Sequence, residues 1–315
     1  MSSIQNTTNR IDVVIPVYKP GEQLSELLNK LLNQRTTVNR IILINTEKDY
    51  FDDKYLIDPI IEVVHIKKAE FDHAATRNVG IQMSDADKVV FMTMDAIPYD
   101  NNLIGHLMDA FAWKGAKGEK VAVAYARQLP REDCRMAECY TRQFNYPDDS
   151  RVKTLDDLQE MGIKTYFCSD VCAMYDVNVY KELGGFVHRA IFNEDMIYAA
   201  KAINNGYAIA YSGDAKVIHS HNYTLKEQFS RNFDLGVSQA EHPEVFANIK
   251  SESEGIRLVR NTAAYLCRNG HWYEIPYLFF ASLAKFLGYR KGLKFKKLSV
   301  RKILKYTMNK DYWKV

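Results

Sequence analysis

The sequence predicts an α/β fold with a mostly parallel sheet flanked by helices, and three observations predict it. Ile11 to Tyr18 is a β-branched run, followed by Pro20-Gly21 and leucines at 24, 27, 28, 31 and 32, which read as strand, turn and amphipathic helix. Arg40 to Asn45 (RIILIN) is a second apolar run, so the chain opens as a β-α-β unit whose parallel strands need cover on both faces. The run Val89-Val90-Phe91-Met92-Thr93-Met94 ends in Asp95, and Pro98 stops the strand. An acid at the carboxyl end of a buried strand lies where open α/β sheets bind ligands.

The remaining elements follow in order. Strands are expected near 61 to 66, 88 to 93 and 121 to 126, and helices over 73 to 84 and 101 to 113. The polar stretch 128 to 165, with Asn145-Tyr146-Pro147-Asp148-Asp149, reads as a helix plus a mobile loop. A strand is expected over 166 to 175, then a turn at Gly184-Gly185 and a helix after Asn193, which can cap it. Short strands near 208 to 211 and 216 to 219 lead to a helix over 224 to 235, and only helical patterns remain beyond about 250. We therefore expect an α/β domain over 1 to 250, with halves at 11 to 126 and 127 to 250, then a helical extension over 251 to 315.

Composition is that of a globular protein, and no GxGxxG or GxxxxGK[ST] follows the first strand, which argues against a dinucleotide fold or a P-loop NTPase. No run of about 18 apolar residues is present to span a bilayer. The N-terminus has no apolar core of a secretory signal, so a cytoplasmic location is expected. Cys168 and Cys172 share one face of the expected strand and read as buried reduced thiols.

The net charge of +3 conceals an asymmetry. From Lys285 to the C-terminus eleven basic residues face Asp311 alone, which leaves the rest of the chain acidic. Tyr277, Phe279, Phe280, Phe286, Tyr289, Phe295, Tyr306 and Trp313 interleave with this charge. Two readings fit: a helix packed on the catalytic domain with a solvated basic face, or an interfacial helix at an anionic membrane leaflet. No nucleic-acid recognition motif accompanies the charge, so no nucleic-acid partner is expected.

Five segments occur in a characteristic sequence: IPVY after the first strand, FDHAATRNVG, TMDAIP, NED opening a helix, and VIHSHNY followed by FSRNFDLG. In this order they resemble the GT-A fold glycosyltransferases of family 2, most closely the rhamnosyltransferase-like branch, over roughly residues 11 to 235. The resemblance implies a nucleotide-sugar donor bound by Pro16, Val17, Tyr18, Asn45, Thr46, Asp72, Arg77, Met94, Asp95, Ala96 and Arg231. It also implies that the domain is catalytic, with its nucleotide-sugar half at 11 to 126 and its acceptor half at 127 to 250, and that Asp195, beside Glu194, deprotonates an acceptor hydroxyl with inversion at the anomeric carbon. Two departures stand out: Asn45-Thr46-Glu47 occupies a position where many relatives carry an acid, and the DxD motif is reduced to Asp95-Ala96-Ile97.

Such chemistry needs a diphosphate leaving group neutralised, usually by a divalent cation. Asp95 is the first ligand expected for Mn²⁺ or Mg²⁺. His219 and His221 project to one face if 217 to 221 is extended, and imidazole favours Mn²⁺. Arg77 offers a bidentate phosphate or pyrimidine contact, with an ion pair to Asp72 or Asp95 as the alternative. A helix N-terminus is expected to lower the pKa of Asp195, which weakens it as a base. Gln228-x-x-Arg231 is similar to QxxRW, with Asn232 in place of tryptophan, so one sugar per encounter is expected.

The expected activity is transfer of L-rhamnose from dTDP-L-rhamnose to a glycan or lipid-linked acceptor in cell-surface polysaccharide synthesis, at the inner face of the plasma membrane. Three alternatives stay open: a UDP-hexose or UDP-galactofuranose transferase of the same fold, a catalytically silent glycan-binding scaffold, and a nucleotide-sugar pyrophosphorylase. The last lacks its Gly-rich phosphate loop after strand one.

Overall fold

The chain begins with β1 (Ile11–Tyr18), α1 (Glu22–Leu32), β2 (Arg40–Thr46), β3 (Ile61–Ile66) and α2 (His73–Met83). It continues through β4 (Lys88–Met92), β5 (Ile97–Pro98), α3 (Leu103–Asp109), β6 (Val121–Leu129), α4 (Met136–Asn145), β7 (Arg151–Lys153) and α5 (Leu158–Met161). Then follow β8 (Cys172–Asp176), α6 (Val177–Glu182), α7 (Glu194–Asn204), β9 (Ala208–Ile218) and α8 (Leu225–Glu241). The helices α9 (Pro243–Phe246), α10 (Glu252–Arg268), α11 (Ile275–Gly292) and α12 (Val300–Tyr306) complete the chain. The structure, a computed structural model, describes residues 9 to 247 and 252 to 314. Residues 1 to 8, where no secretory signal is expected, the boundary expected at 250 and Val315 lie outside them.

One sheet runs in the order β3-β2-β1-β4-β8-β6-β9-β5, with β7 added on β9. It is parallel through β3, β2, β1 and β4, then mixed, because β8 runs antiparallel to both β4 and β6. The chain leaves β1 in opposite directions to reach β2 and β4, so a crevice opens at their carboxyl ends. Alternation along β1 divides the core: Val13, Ile15 and Val17 pack with α1 and α3 on one face, and Val14 packs with α2 and α7 on the other. The predicted leucine stripe of α1 is buried at 24, 27, 28 and 31. Pro16 lies beyond the last β1–β4 ladder pair, Val14 with Phe91, so its missing N–H costs no bond on that side.

Several expectations are corrected. The strand expected over 166 to 175 begins only at Cys172, because residues 162 to 166 form a 3₁₀ turn; Cys168 therefore shares no strand face with Cys172, although both are buried free thiols. The short strands expected at 208 to 211 and 216 to 219 are one strand, β9, with a register irregularity where Ala126 and Arg127 pair with Ser212 and Lys216. The polar stretch expected as a loop includes β7, paired to β9.

The C-terminal helices pack closely on α8. Gly288 and Gly292 of α11 lie under the backbone carbonyls of Phe229 and Phe233 in α8, so close that a Cβ at either would clash. Phe295, Ile303 and Tyr312 share a buried cluster with Ile191, Phe233 and Val237. Both contacts join the C-terminal segment to the region around α7 and α8, which the sequence assigned to the acceptor half. The opposite side of α11 leaves Phe279 at 62% and Phe286 at 54% exposure, with Phe280, Leu283 and Leu287 between them. Among the described residues no helix is long and apolar enough to cross a membrane.

Candidate active site

Strand pairing brings Asp95 to the histidines. The short strand β5 pairs antiparallel with the end of β9, Ile97 opposite Ile218, so Asp95 just before β5 meets His219 just after β9. Pro98 is tolerated because β5 is the sheet edge. His219 extends the β6 ladder by donating its N–H to the Leu129 carbonyl at 2.9 Å. The two imidazoles meet edge to face, with Nε2 of each 3.0 Å apart. Asp95 Oδ2 lies 3.6 Å from His219 Nε2 and 3.3 Å from His221 Nε2.

These separations fit a divalent cation. Cis ligands on an octahedral ion at about 2.1 Å stand about 3 Å apart, close to the spacing observed. Burial lowers the pKa of His219 to about 3 and also lowers that of His221, so both rings are neutral, the form in which imidazole ligates metal. Gln128 fixes the tautomer. Its Oε1 accepts from Arg142 Nη1 at 2.5 Å, and its amide nitrogen donates to Tyr146 Oη and Ser169 Oγ. His219 Nδ1, 3.0 Å from the same Oε1, must then carry its hydrogen, and Nε2 turns its lone pair to Asp95 and His221.

The same network leads to Asp195. The residue after Ser169, Asp170, donates its backbone N–H to Asp195 Oδ2 at 3.1 Å, and Met196 N–H donates to Oδ1 at 2.7 Å. Burial, with the charges of Glu194 and Asp170, pushes the pKa of Asp195 well above the usual carboxylate range. The expected lowering by the helix N-terminus is overturned: desolvation and two neighbouring acids outweigh the dipole. Asn193 does not cap α7 through its side chain. It is left-handed (φ 64°), and its amide donates to Ser238 Oγ at 3.2 Å.

The ion pairs of Arg77 differ from those expected. Its side chain is only 4% exposed and is held between Asp170 (Nε to Oδ2, 3.1 Å) and Glu194 (Nη1 to Oε1, 3.1 Å). Its ion-pair partners are these two acids, and neither Asp72 nor Asp95 is among them. Glu194 is thereby committed to positioning. Asp72 caps α2 by accepting from Ala74 and Ala75 N–H, while its other oxygen accepts from Ala190 N–H, so it anchors backbone at both oxygens.

A cleft of about 430 Å³ opens beyond the ends of β1 and β2, lined by Tyr18, Thr46, Lys68, Phe71 and His73. Of the residues expected at the donor, Tyr18 and Thr46 line it. Asn45 and Val17 are buried in the strands beneath, Asn45 donating to the Glu47 carbonyl and contacting His65 Nδ1; Pro16 is half-buried in β1. Ala96 is buried in the core and Met94 packs against it. Arg231 stacks its guanidinium 4.6 Å from the Phe192 ring and 5.6 Å from that of Tyr223, itself next to His221. Sequence reading missed Gln128, Ser169 and Asp170. Gln128 is a polar residue near the end of an apolar strand, the signal that drew attention to Asp95, and Ser169-Asp170 is a polar pair interrupting YFCSDVCAMY.

Comparison with known proteins follows this geometry. A family model described as glycosyl transferase family 2 matches residues 12 to 184. The O-antigen chain rhamnosyltransferase RfbN of Salmonella typhimurium is 34% identical over 96% of both chains. The O-antigen chain rhamnosyltransferase WbaN of Salmonella anatum is 33% identical over 96% of this chain and 95% of its own. Among solved structures, the mannosyltransferase PcManGT of Pyrobaculum calidifontis, in complex with GDP-Man and Mn²⁺, superposes with a TM-score of 0.60 at 13% identity, over 91% of this chain and 88% of that one. That likeness is one of fold, the GT-A architecture.

Proposed function

The chain belongs to glycosyl transferase family 2, and from that membership we propose that it transfers L-rhamnose from dTDP-L-rhamnose, with inversion, to a lipid-linked glycan during cell-surface polysaccharide synthesis. The observation that carries this reading is the convergence of Asp95, His219 and His221 within 4.8 Å of one another, joined through Gln128, Ser169 and Asp170 to the half-buried Asp195. The rhamnose assignment rests on the two O-antigen rhamnosyltransferases, both similar along nearly the whole chain.

The residues divide the work. Tyr18 and Thr46 receive the nucleoside at the ends of β1 and β2. Asp95, His219 and His221 would hold Mn²⁺ or Mg²⁺, which when bound neutralises the diphosphate leaving group. The imidazole pair supplies what the absent second aspartate of DxD would have given, and it favours Mn²⁺. Arg231 adds a fixed positive charge beside the same face. Asp195 accepts the proton of the acceptor hydroxyl, and its raised pKa makes it the stronger base. The complete set weighs against the silent scaffold, for which the eroded DxD was the argument.

The acceptor reading is supported by α11, whose exposed Phe279, Phe280, Leu283, Phe286 and Leu287 form one helical face continuing into exposed Arg290, Lys291 and Lys294. Apolar side chains with adjoining cations suit the headgroup level of an anionic leaflet, where a lipid-linked glycan resides. We place the protein at the inner face of the plasma membrane on this basis. The test is donor turnover: the purified chain with Mn²⁺ is offered dTDP-L-rhamnose, UDP-galactofuranose and UDP-hexoses. Release of dTDP from the first alone supports the assignment, whereas release of UDP moves it to the alternative donor.

A further inference from the structure

The cleft beyond β1 and β2 has a second wall from the other end of the chain. Residues 308 to 311 and Lys314 line it opposite Tyr18 and Phe71. Resting on the functional reading above, we infer that this C-terminal strap is part of the donor site and grips the nucleoside diphosphate, with Lys68, Lys310 and Lys314 as its cationic contacts.

Buried groups pin the strap at both ends. Asp234 of α8, 3% exposed, accepts from Thr307 Oγ1 at 2.6 Å and from Met308 N–H at 2.8 Å. Further on, the buried Tyr312 donates its hydroxyl to Glu241 Oε2 at 3.0 Å, while Arg189 stacks on the Tyr312 ring at 4.0 Å and donates to its carbonyl. Trp313 packs on Phe295 with ring centroids 5.6 Å apart. The span between these anchors crosses the mouth of the cleft, where Asp311 Oδ2 meets Lys68 Nζ at 3.3 Å. That exposed ion pair is worth little by itself, so the strap is held by its anchors and not by the bridge.

The strap narrows the cleft without filling it. The remaining 430 Å³ is within the range of small-ligand sites. Three lysines and one aspartate surround it, so the lining is net cationic, which complements an anionic nucleotide. Asp311 contacts both Lys68 and Lys314, at 3.3 and 2.6 Å, and holds their ammonium groups at the rim before a ligand arrives.

The test measures dTDP binding by calorimetry in the presence of Mn²⁺, and Mn²⁺ binding alone, for three proteins: the full chain, a chain ending at Thr307, and the full-length variant Lys310→Glu/Lys314→Glu. The truncated chain is expected to lose at least about tenfold in dTDP affinity, and the charge-reversal variant several-fold, while Mn²⁺ affinity stays that of the full chain in both. If truncation unfolds the protein, the charge-reversal variant, which keeps every anchor, decides. Unchanged dTDP affinity in that variant overturns the inference and leaves the proposed function standing. Failure of the full chain to bind dTDP, UDP or any other nucleoside diphosphate overturns both.

Discussion

The backbone N–H of Asp170 donates to Asp195 Oδ2 at 3.1 Å, and this bond joins the start of β8 to the first turn of α7. Asp170 stands next to Ser169, whose hydroxyl accepts from the Gln128 amide that also orients His219. The proposed proton acceptor and the proposed metal ligands are therefore held in one frame. Replacing Asp195 by Asn keeps the volume and removes the basicity. Transfer is expected to fall by about 10² to 10⁴, with dTDP and Mn²⁺ affinity retained. Steady-state kinetics beside calorimetry checks this, and turnover above about a tenth of wild type removes Asp195 as the base.

The pH dependence follows from the same cluster. Burial raises the pKa of Asp170 to about 7 and that of Asp195 well above the usual range. The base works ionised, so turnover should rise with pH. Stability should run the other way. A folded-state pKa above the unfolded value of 3.8 means that the native state holds protons the unfolded chain has released, so this contribution is full below pH 3.8 and is lost as pH rises through about 7. Asp170→Asn removes a neighbouring negative charge, which should move the acidic limb of kcat down by about one unit. A pH-rate profile with the limb unmoved contradicts that coupling.

Arg77 separates a structural role from a ligand contact. Its guanidinium bridges Asp170 and Glu194 at 2 to 8% side-chain exposure across the three groups. Removing one partner of a buried pair costs about 3 to 5 kcal/mol, so Arg77→Met should depress thermal and chemical stability by that order. A variant as stable as wild type with only weakened donor binding would return Arg77 to the donor.

The sequence exposed the first half of the sheet clearly, since β1 to β4 and α1 follow one apolar period each. The second half was harder. The 3₁₀ turn before Cys172 and the irregular β9 are set by pairing between distant strands, which local periodicity does not encode. Asp95, His219 and His221 were legible because each lies at a strand end. The ion pairs of Arg77 were not legible, because its partners are acids brought from residues 170 and 194, far away in the sequence. For the C-terminal segment the sequence left packing and an interfacial role both open, and the close approach of Gly288 and Gly292 to α8 shows the packing, which charge and composition do not encode.

The exposed face of α11 gives a prediction at the membrane. Lys294, Lys296 and Lys297 are exposed, and each contributes about 1 kcal/mol near an anionic surface. Replacing all three with Glu should abolish co-sedimentation with anionic vesicles, and added salt should weaken binding of the wild type. Binding that is indifferent to both would leave α11 as a packing or oligomerisation surface.

Anomalous diffraction from crystals grown with MnCl₂ and dTDP would locate the cation and the nucleotide together. One manganese peak is expected within about 2.3 Å of Asp95 Oδ2, His219 Nε2 and His221 Nε2, with diphosphate oxygens completing the coordination and thymidine beside Tyr18 and Thr46. A manganese peak away from these three side chains, or thymidine bound outside the cleft at the ends of β1 and β2, would contradict this placement.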